Sequence, residues 1–122
     1  MRRGFVGLAI AVLAIGAFTG GLAWLLETPK PPPGASRAER LYYGLCVSCH
    51  GVDGRGSRHA TLFLIRPGDL TKTTAPDQYV LDIIKHGGAP IGRPGMPAFG
   101  SALSDEDIKL LVEHVRTLSS KR

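Results

Sequence analysis

Cysteine is scarce in this chain: Cys46 and Cys49 are its only two thiols in 122 residues. A zinc site resting on four cysteines is therefore excluded, because the third and fourth are missing. No βαβ alternation surrounds the pair, so the frame of a thioredoxin-like redox couple is missing too. Aromatic residues are few, and none forms a platform beside the dispersed Lys and Arg side chains. That speaks against nucleic-acid binding and for a solvated surface. From Arg37 onward twelve Lys/Arg stand against nine Asp/Glu, a modest excess. Asp69, Asp105 and Glu106 include no pair that the sequence alone places as general acid and base. Methionine is as rare as cysteine, with Met1 at the far N-terminus and Met96 the only other.

What is present centres on Cys46-Val47-Ser48-Cys49-His50. Two thiols three positions apart can each add to a vinyl group of one porphyrin, and the adjacent imidazole can bind the metal beneath it. The pattern reads as attachment of one haem c, with Cys46 and Cys49 covalently bonded and His50 as proximal iron ligand. Both thiols are then used, and no disulfide remains possible. A domain of roughly 85 residues buries little apolar surface by itself, and a haem supplies a surface for it to fold around.

Ahead of this motif, Met1-Arg2-Arg3 precedes an uncharged run from Gly4 to Leu26. As a helix it spans roughly 34 Å, enough for the hydrocarbon core of a bilayer. Residues 1–26 are read as a single transmembrane anchor. A cleaved secretory signal also fits the basic start and the small residues Gly21 and Ala23, but the apolar run continues past that point through Trp24-Leu25-Leu26. In either case the arginines stay cytoplasmic and the rest of the chain is exported. Gly16 and Gly20 form a small-residue strip on which another helix can dock. Residues 27–35 are read as a proline-rich linker, in which Thr28 to Gly34 are expected to form an extended spacer reaching about 20 Å and holding the domain clear of the lipid.

Residues 36–122 form the third part. Ser36 and Glu39 have the spacing of a capping box, opening a helix that delivers the cysteines; Gly44 within it is expected to allow close packing by another helix. Gly51 to Thr74 reads as a loop, with Thr61 to Ile65 facing the haem and not forming a strand. Pro76 to His86 reads as a second helix halted by Gly87-Gly88. Gly87 to Gly100 is too rich in glycine and proline for a long helix, and can carry Met96 over the distal face of the haem as the sole available thioether. Ser104 to Asp107 opens a last helix with an apolar stripe at Ile108, Leu111, Val115 and Leu118 and with Arg116, Lys121 and Arg122 near its negative end.

With Cys46 to Gly51, then Gly95-Met96-Pro97-Ala98-Phe99-Gly100, then a helix opening at Leu103-Ser104-Asp105-Glu106, the sequence resembles class I c-type cytochromes of the short bacterial monohaem type. The resemblance implies an all-α cytochrome c fold wrapped around the haem, its first and last helices crossing and one haem edge exposed for electron exchange. It assigns Cys46 and Cys49 to thioether bonds, His50 to proximal and Met96 to distal ligation of iron. It also matches Pro67 to the proline whose carbonyl accepts a hydrogen bond from the proximal imidazole. Where the family often has an aromatic residue in the last helix this chain has His114, so the contact between those helices is expected to differ. His59, His86 and His114 are alternative distal ligands, with packing or exposed roles preferred.

The function expected from this is one-electron transfer by a carrier, not an enzyme, anchored in a bacterial cytoplasmic membrane. Its haem domain lies on the periplasmic side, and its redox protein partners lead toward a terminal oxidase or a photosynthetic reaction centre. The alternatives are a fixed cytochrome subunit of a larger respiratory or photosynthetic complex, and a haem peroxidase or gas sensor from which Met96 dissociates.

Overall fold

The computed structural model describes residues 2–120. Met1, Lys121 and Arg122 lie outside them, including two of the basic residues expected at the end of the last helix. The chain forms α1 (Arg2–Leu26), α2 (Arg37–Leu45), α3 (Val47–His50), α4 (Arg58–Leu62), α5 (Asp77–His86) and α6 (Asp105–Ser120), with short 3₁₀ turns at Leu70–Lys72 and Ala89–Ile91. No strand forms among the described residues. The architecture is all-α, an apolar N-terminal helix followed by a small helical domain.

The stretch Gly4–Leu26 of α1 is long and apolar enough to cross a membrane, and it is exposed throughout except at Leu25, which is half-buried near the end of the helix. A helix that is apolar all round has no face suited to water.

The proline-rich stretch after it is bent. The Ala35 amide donates to the Pro32 carbonyl at 3.1 Å, and Gly34 has φ +76°. With Pro33 ahead of it, this is the arrangement of a type II turn. The bend brings the end of α1 back to the domain, where the Arg58 guanidinium lies 4.6 Å from the centre of the Trp24 ring. The expected straight spacer is therefore corrected: a proline followed by glycine turns the chain where consecutive prolines alone would extend it.

α2 starts as its sequence dictates, with Ser36 Oγ accepting from the Glu39 amide and Glu39 Oε2 accepting from the Ser36 amide. It packs on α6 around Tyr42, Ile108 and Leu111, each at most 1% exposed. The tyrosine ring meets His114 at 4.5 Å between ring centres with planes tilted by 44°. Arg37 adds a two-pronged ion pair to Asp107, at 2.6 and 2.9 Å. Gly44 does not serve this contact. It is exposed, and a Cβ built there would meet nothing within 4 Å. The helix pairing was expected, but it runs through the Tyr42 face, two residues from the glycine.

α6 buries the expected stripe and Val112 beside it. Ser104 Oγ caps it by accepting from the Asp107 amide at 3.1 Å. α5 begins one residue later than expected, with Pro76 just outside it, and ends at Gly87. The segment read as an unbroken loop holds α4, whose start is capped by Ser57 Oγ accepting from the Ala60 amide. α3 and α4 pack together, as do α5 and α6.

Candidate haem site

α2 and α3 meet at Cys46, which closes one helix and opens the next. The Cys46 amide donates to Tyr42 O at 2.8 Å, and the Cys46 carbonyl accepts from the Cys49 and His50 amides at 3.1 and 2.8 Å. One turn of helix thus carries positions i, i+3 and i+4, which share a face. Cys46, Cys49 and His50 accordingly line one cavity together.

Gly51 ends that turn at φ +75°, and a Cβ there would come 2.5 Å from the Gly56 carbonyl oxygen, so only glycine fits. Its own carbonyl accepts a buried hydrogen bond from the Tyr42 hydroxyl at 2.8 Å. The loop that follows satisfies the carbonyls left at the end of α3: Gly56 N donates to His50 O at 2.7 Å and Ser57 N to Cys49 O at 2.9 Å. Ser57 Oγ donates to Ser48 O. The carbonyls of a helix end have no partners of their own, and here the returning loop supplies them.

A second wall of the same cavity is the stretch from Arg93 to Pro97, including Met96. Met96 N donates to Arg93 O at 3.2 Å, closing a turn over Pro94-Gly95, and Met96 O accepts from the Gly88 amide at 3.0 Å. Beyond it, Phe99 N and Gly100 N donate to the Ile84 and Lys85 carbonyls in the last turn of α5, at 3.0 and 2.9 Å.

The cavity measures about 1130 Å³, and its remaining lining is largely apolar, including Leu45, Leu70, Val80, Ile83 and Phe99. Cofactor sites usually enclose roughly 300–1,000 Å³, so this one has room for a large, mostly apolar ligand. Burial holds the His50 imidazole below its ordinary pKa, opposed by the nearby Gly68 backbone. The neutral ring that results at neutral pH is the form that ligates a metal. His50 Nδ1 is buried with no partner at hydrogen-bonding geometry. Pro67 lines the cavity next to Gly68. Burial, with a smaller effect of Cys49, pushes the Cys46 thiol up to about 12. A redox C-x-x-C pair needs the opposite shift, toward a thiolate at neutral pH.

A family model described as cytochrome c oxidase, cbb3-type, subunit III matches residues 33–115. The chain belongs to that family. It therefore carries a c-type cytochrome domain, an electron-transfer module that implies covalently bound haem. No curated protein matches the chain. For a member of this family the cavity has a fitting donor set, namely two thiols and an imidazole on one wall and a thioether on another. Among the described residues no group of three or more His, Cys, Asp or Glu side chains clusters as a protein-only metal site would.

The other histidines lie elsewhere. His59 borders a groove beside Trp24, His114 packs on Tyr42, and His86 is exposed at the end of α5. None of the three lines the cavity, and neither does any Asp or Glu. Asp69 accepts from Thr71 and Asp105 pairs with Lys85. Sequence reasoning did not single out the Tyr42 hydroxyl, or Arg66 and Arg93, which also border the cavity. In the sequence Tyr42 reads only as one of the apolar positions of α2, with Leu41 and Leu45. The two arginines passed as part of a solvated basic surface, and nothing in their local sequence marks them out.

Proposed function

We propose that this member of the family is a single-haem electron carrier, held in the membrane by residues 1–26, tethered by 27–35 and folded as a cytochrome over 36–122. In this reading Cys46 and Cys49 make the thioether bonds, His50 is the proximal ligand, Met96 the distal ligand, and Pro67 borders the proximal side. The observation that carries it is that the two thiols, the neutral imidazole and the only thioether among the described residues line one apolar cavity. When bound, haem supplies a one-electron couple between ferric and ferrous iron.

The chain's own residues account for the rest. His50 and Met96 would both hold the iron, which suits electron transfer over small-molecule binding. The apolar walls exclude water, which together with a thioether ligand raises the reduction potential. No carboxylate and no second imidazole borders the cavity to move protons, which weighs against a peroxidase. The haem domain is read as lying on the periplasmic side of a bacterial cytoplasmic membrane, passing electrons toward a terminal oxidase or a photosynthetic reaction centre.

A second reading, a fixed subunit of a respiratory or photosynthetic complex, is favoured by the description of the family and by α1. Gly16 and Gly20 have nothing within 4 Å of their Cβ positions, so a partner helix has room to approach. A haem-stained native gel of membranes in mild detergent separates the two. Haem at the size of a small protein supports the carrier, co-migration with a large assembly supports the subunit, and haem only in the soluble fraction overturns the anchor. Carbon monoxide binding rapidly and completely to the reduced protein at neutral pH would overturn ligation by Met96.

A further inference from the structure

Among the described residues, Arg66 and Arg93 are the only arginine, lysine, aspartate or glutamate side chains that border the cavity. Among the described residues neither guanidinium has an ion pair, although four other Lys and Arg side chains do. Neither donates a side-chain hydrogen bond there, although Arg37, Arg40 and Arg116 all do. Each guanidinium carries five N–H donors in a fixed fork suited to a carboxylate. Both side chains are exposed to water, and two such forks at the rim of an otherwise apolar cavity suit anionic groups carried by a ligand within it.

Their positions are also set. Arg93 is held through its backbone, its amide donating to Gly88 O at 2.8 Å and its carbonyl accepting from Met96 N at 3.2 Å. Its side chain reaches across to the other loop, where Nη1 lies 3.2 Å from the Cβ position of Gly68. The same two loops meet where Ile65 Cγ2 lies 3.3 Å from the Cβ position of Gly95. Arg66 and Arg93 thus belong to two touching loops, separate from the α2–α3 turn that supplies the thiols.

Haem carries two vinyl groups along one edge and two carboxylates along the other. We propose that Arg66 and Arg93 form a carboxylate clamp for the two propionates, fixing which edge of the haem enters the 64–68 and 92–96 loops while Cys46 and Cys49 take the vinyl edge. This rests on the haem reading above. The clamp has an electrostatic consequence. Arg93 would tie the loop of Met96 to the loop beside His50 through a shared anionic partner, and two cations bordering the haem cavity would disfavour the more positive, ferric state.

The test uses the full chain, loaded with haem and purified in detergent. Arg66→Gln, Arg93→Gln and the corresponding lysine variants are compared with Lys109→Gln, which removes an exposed charge away from the cavity. Covalent haem is first quantified by pyridine haemochrome and intact mass, and its absence from the unsubstituted protein would overturn the haem reading itself. With haem in place, each glutamine variant is expected to lower the midpoint potential at fixed pH and low salt, beyond any change in Lys109→Gln. It should also shift the propionate bands in the redox infrared difference spectrum. The lysine variants should restore most of the potential and less of the band positions, because a lysine keeps the charge but not the fork. If Arg93→Gln does not load haem, Arg66→Gln carries the same comparison. Loaded glutamine variants with the potential and carboxylate bands of Lys109→Gln would overturn the clamp.

Discussion

The two walls of the cavity are built by different means. The wall with Cys46, Cys49 and His50 is one turn of helix, so the sequence interval alone puts the three side chains on one face. The wall with Met96 has no helix. It is a loop of glycine and proline, and its place depends on amides that find partners elsewhere: Gly88 on Met96 O, Phe99 on Ile84 O and Gly100 on Lys85 O. The first wall is set by local helix geometry, whereas the second is held on the last turn of α5. Damage should therefore reach them differently.

The sharpest way to break the comparison is to remove each proposed ligand in turn. His50→Ala takes away the member of the motif that sits next to the attachment site, and almost no haem-loaded protein is expected by haem stain or intact mass. Met96→Ala should still carry covalent haem, because both thiols and the imidazole remain. Its midpoint potential is expected to fall by roughly tenths of a volt, within the about 0.8 V that axial ligands span. Its reduced form should bind carbon monoxide quickly. Equal loss of haem in both variants would mean that the two walls are not independent.

Next in size is a change that moves the Met96 wall without touching a ligand. A Cβ at Gly88 would overlap the Arg93 carbonyl, and both partners are backbone, so neither can give way cheaply. Gly88→Ala is expected to cost about 1–3 kcal/mol. The absorbance band of methionine-ligated ferric haem should be lost at a lower temperature than helicity, which is read by circular dichroism. On the other wall, Tyr42→Phe leaves the ring but takes from the Gly51 carbonyl its short hydrogen bond, leaving the longer one from the Gly54 amide at 3.4 Å. It should cost about 0.5–1.5 kcal/mol, the usual net worth of one hydrogen bond, in denaturant unfolding of the haem-loaded protein. Here the methionine band and the helicity should vanish together.

The same contrast explains what could be read from the sequence. The helices, the capping box and the i, i+3, i+4 turn are written in local spacing, and so they appear where expected. Gly44 shows where that local logic stops. A glycine inside a helix suggests close packing, but which face meets α6 is decided by the burial of Tyr42, Ile108 and Leu111. Arg66 and Arg93 were invisible for a related reason. They come together only when two loops 27 positions apart in the sequence touch, and each by itself is an ordinary surface cation. The bend at Pro33-Gly34 was legible as turn chemistry. The run of prolines before it masked that signal, and the contact of Trp24 with Arg58 joins parts of the chain that no local pattern links.

The smallest expected effect concerns the frame that holds the helical wall. α2 leads directly into Cys46, and its start is fastened to α6 by Arg37 and Asp107. The hydrogen bond and charge of Arg37, with help from Ser104, hold the Asp107 carboxyl below the usual carboxylate range. A carboxyl depressed in the folded state binds fewer protons there than in the unfolded chain, so its stabilisation is complete above its unfolded pKa of about 3.9. It is lost as the pH falls through the lower, folded value. Arg37 is largely exposed, with a side-chain exposure of 65%, so water and salt weaken the pair. Acid unfolding of the haem-loaded protein, followed by helicity at low salt, should therefore begin at a higher pH in Arg37→Gln than in the unsubstituted chain. Added salt should narrow that difference. The same substitution should leave the methionine band at neutral pH unchanged, because the Met96 wall is tied to α5 and not to α2. A shift of that band would show that the two walls are coupled through α6.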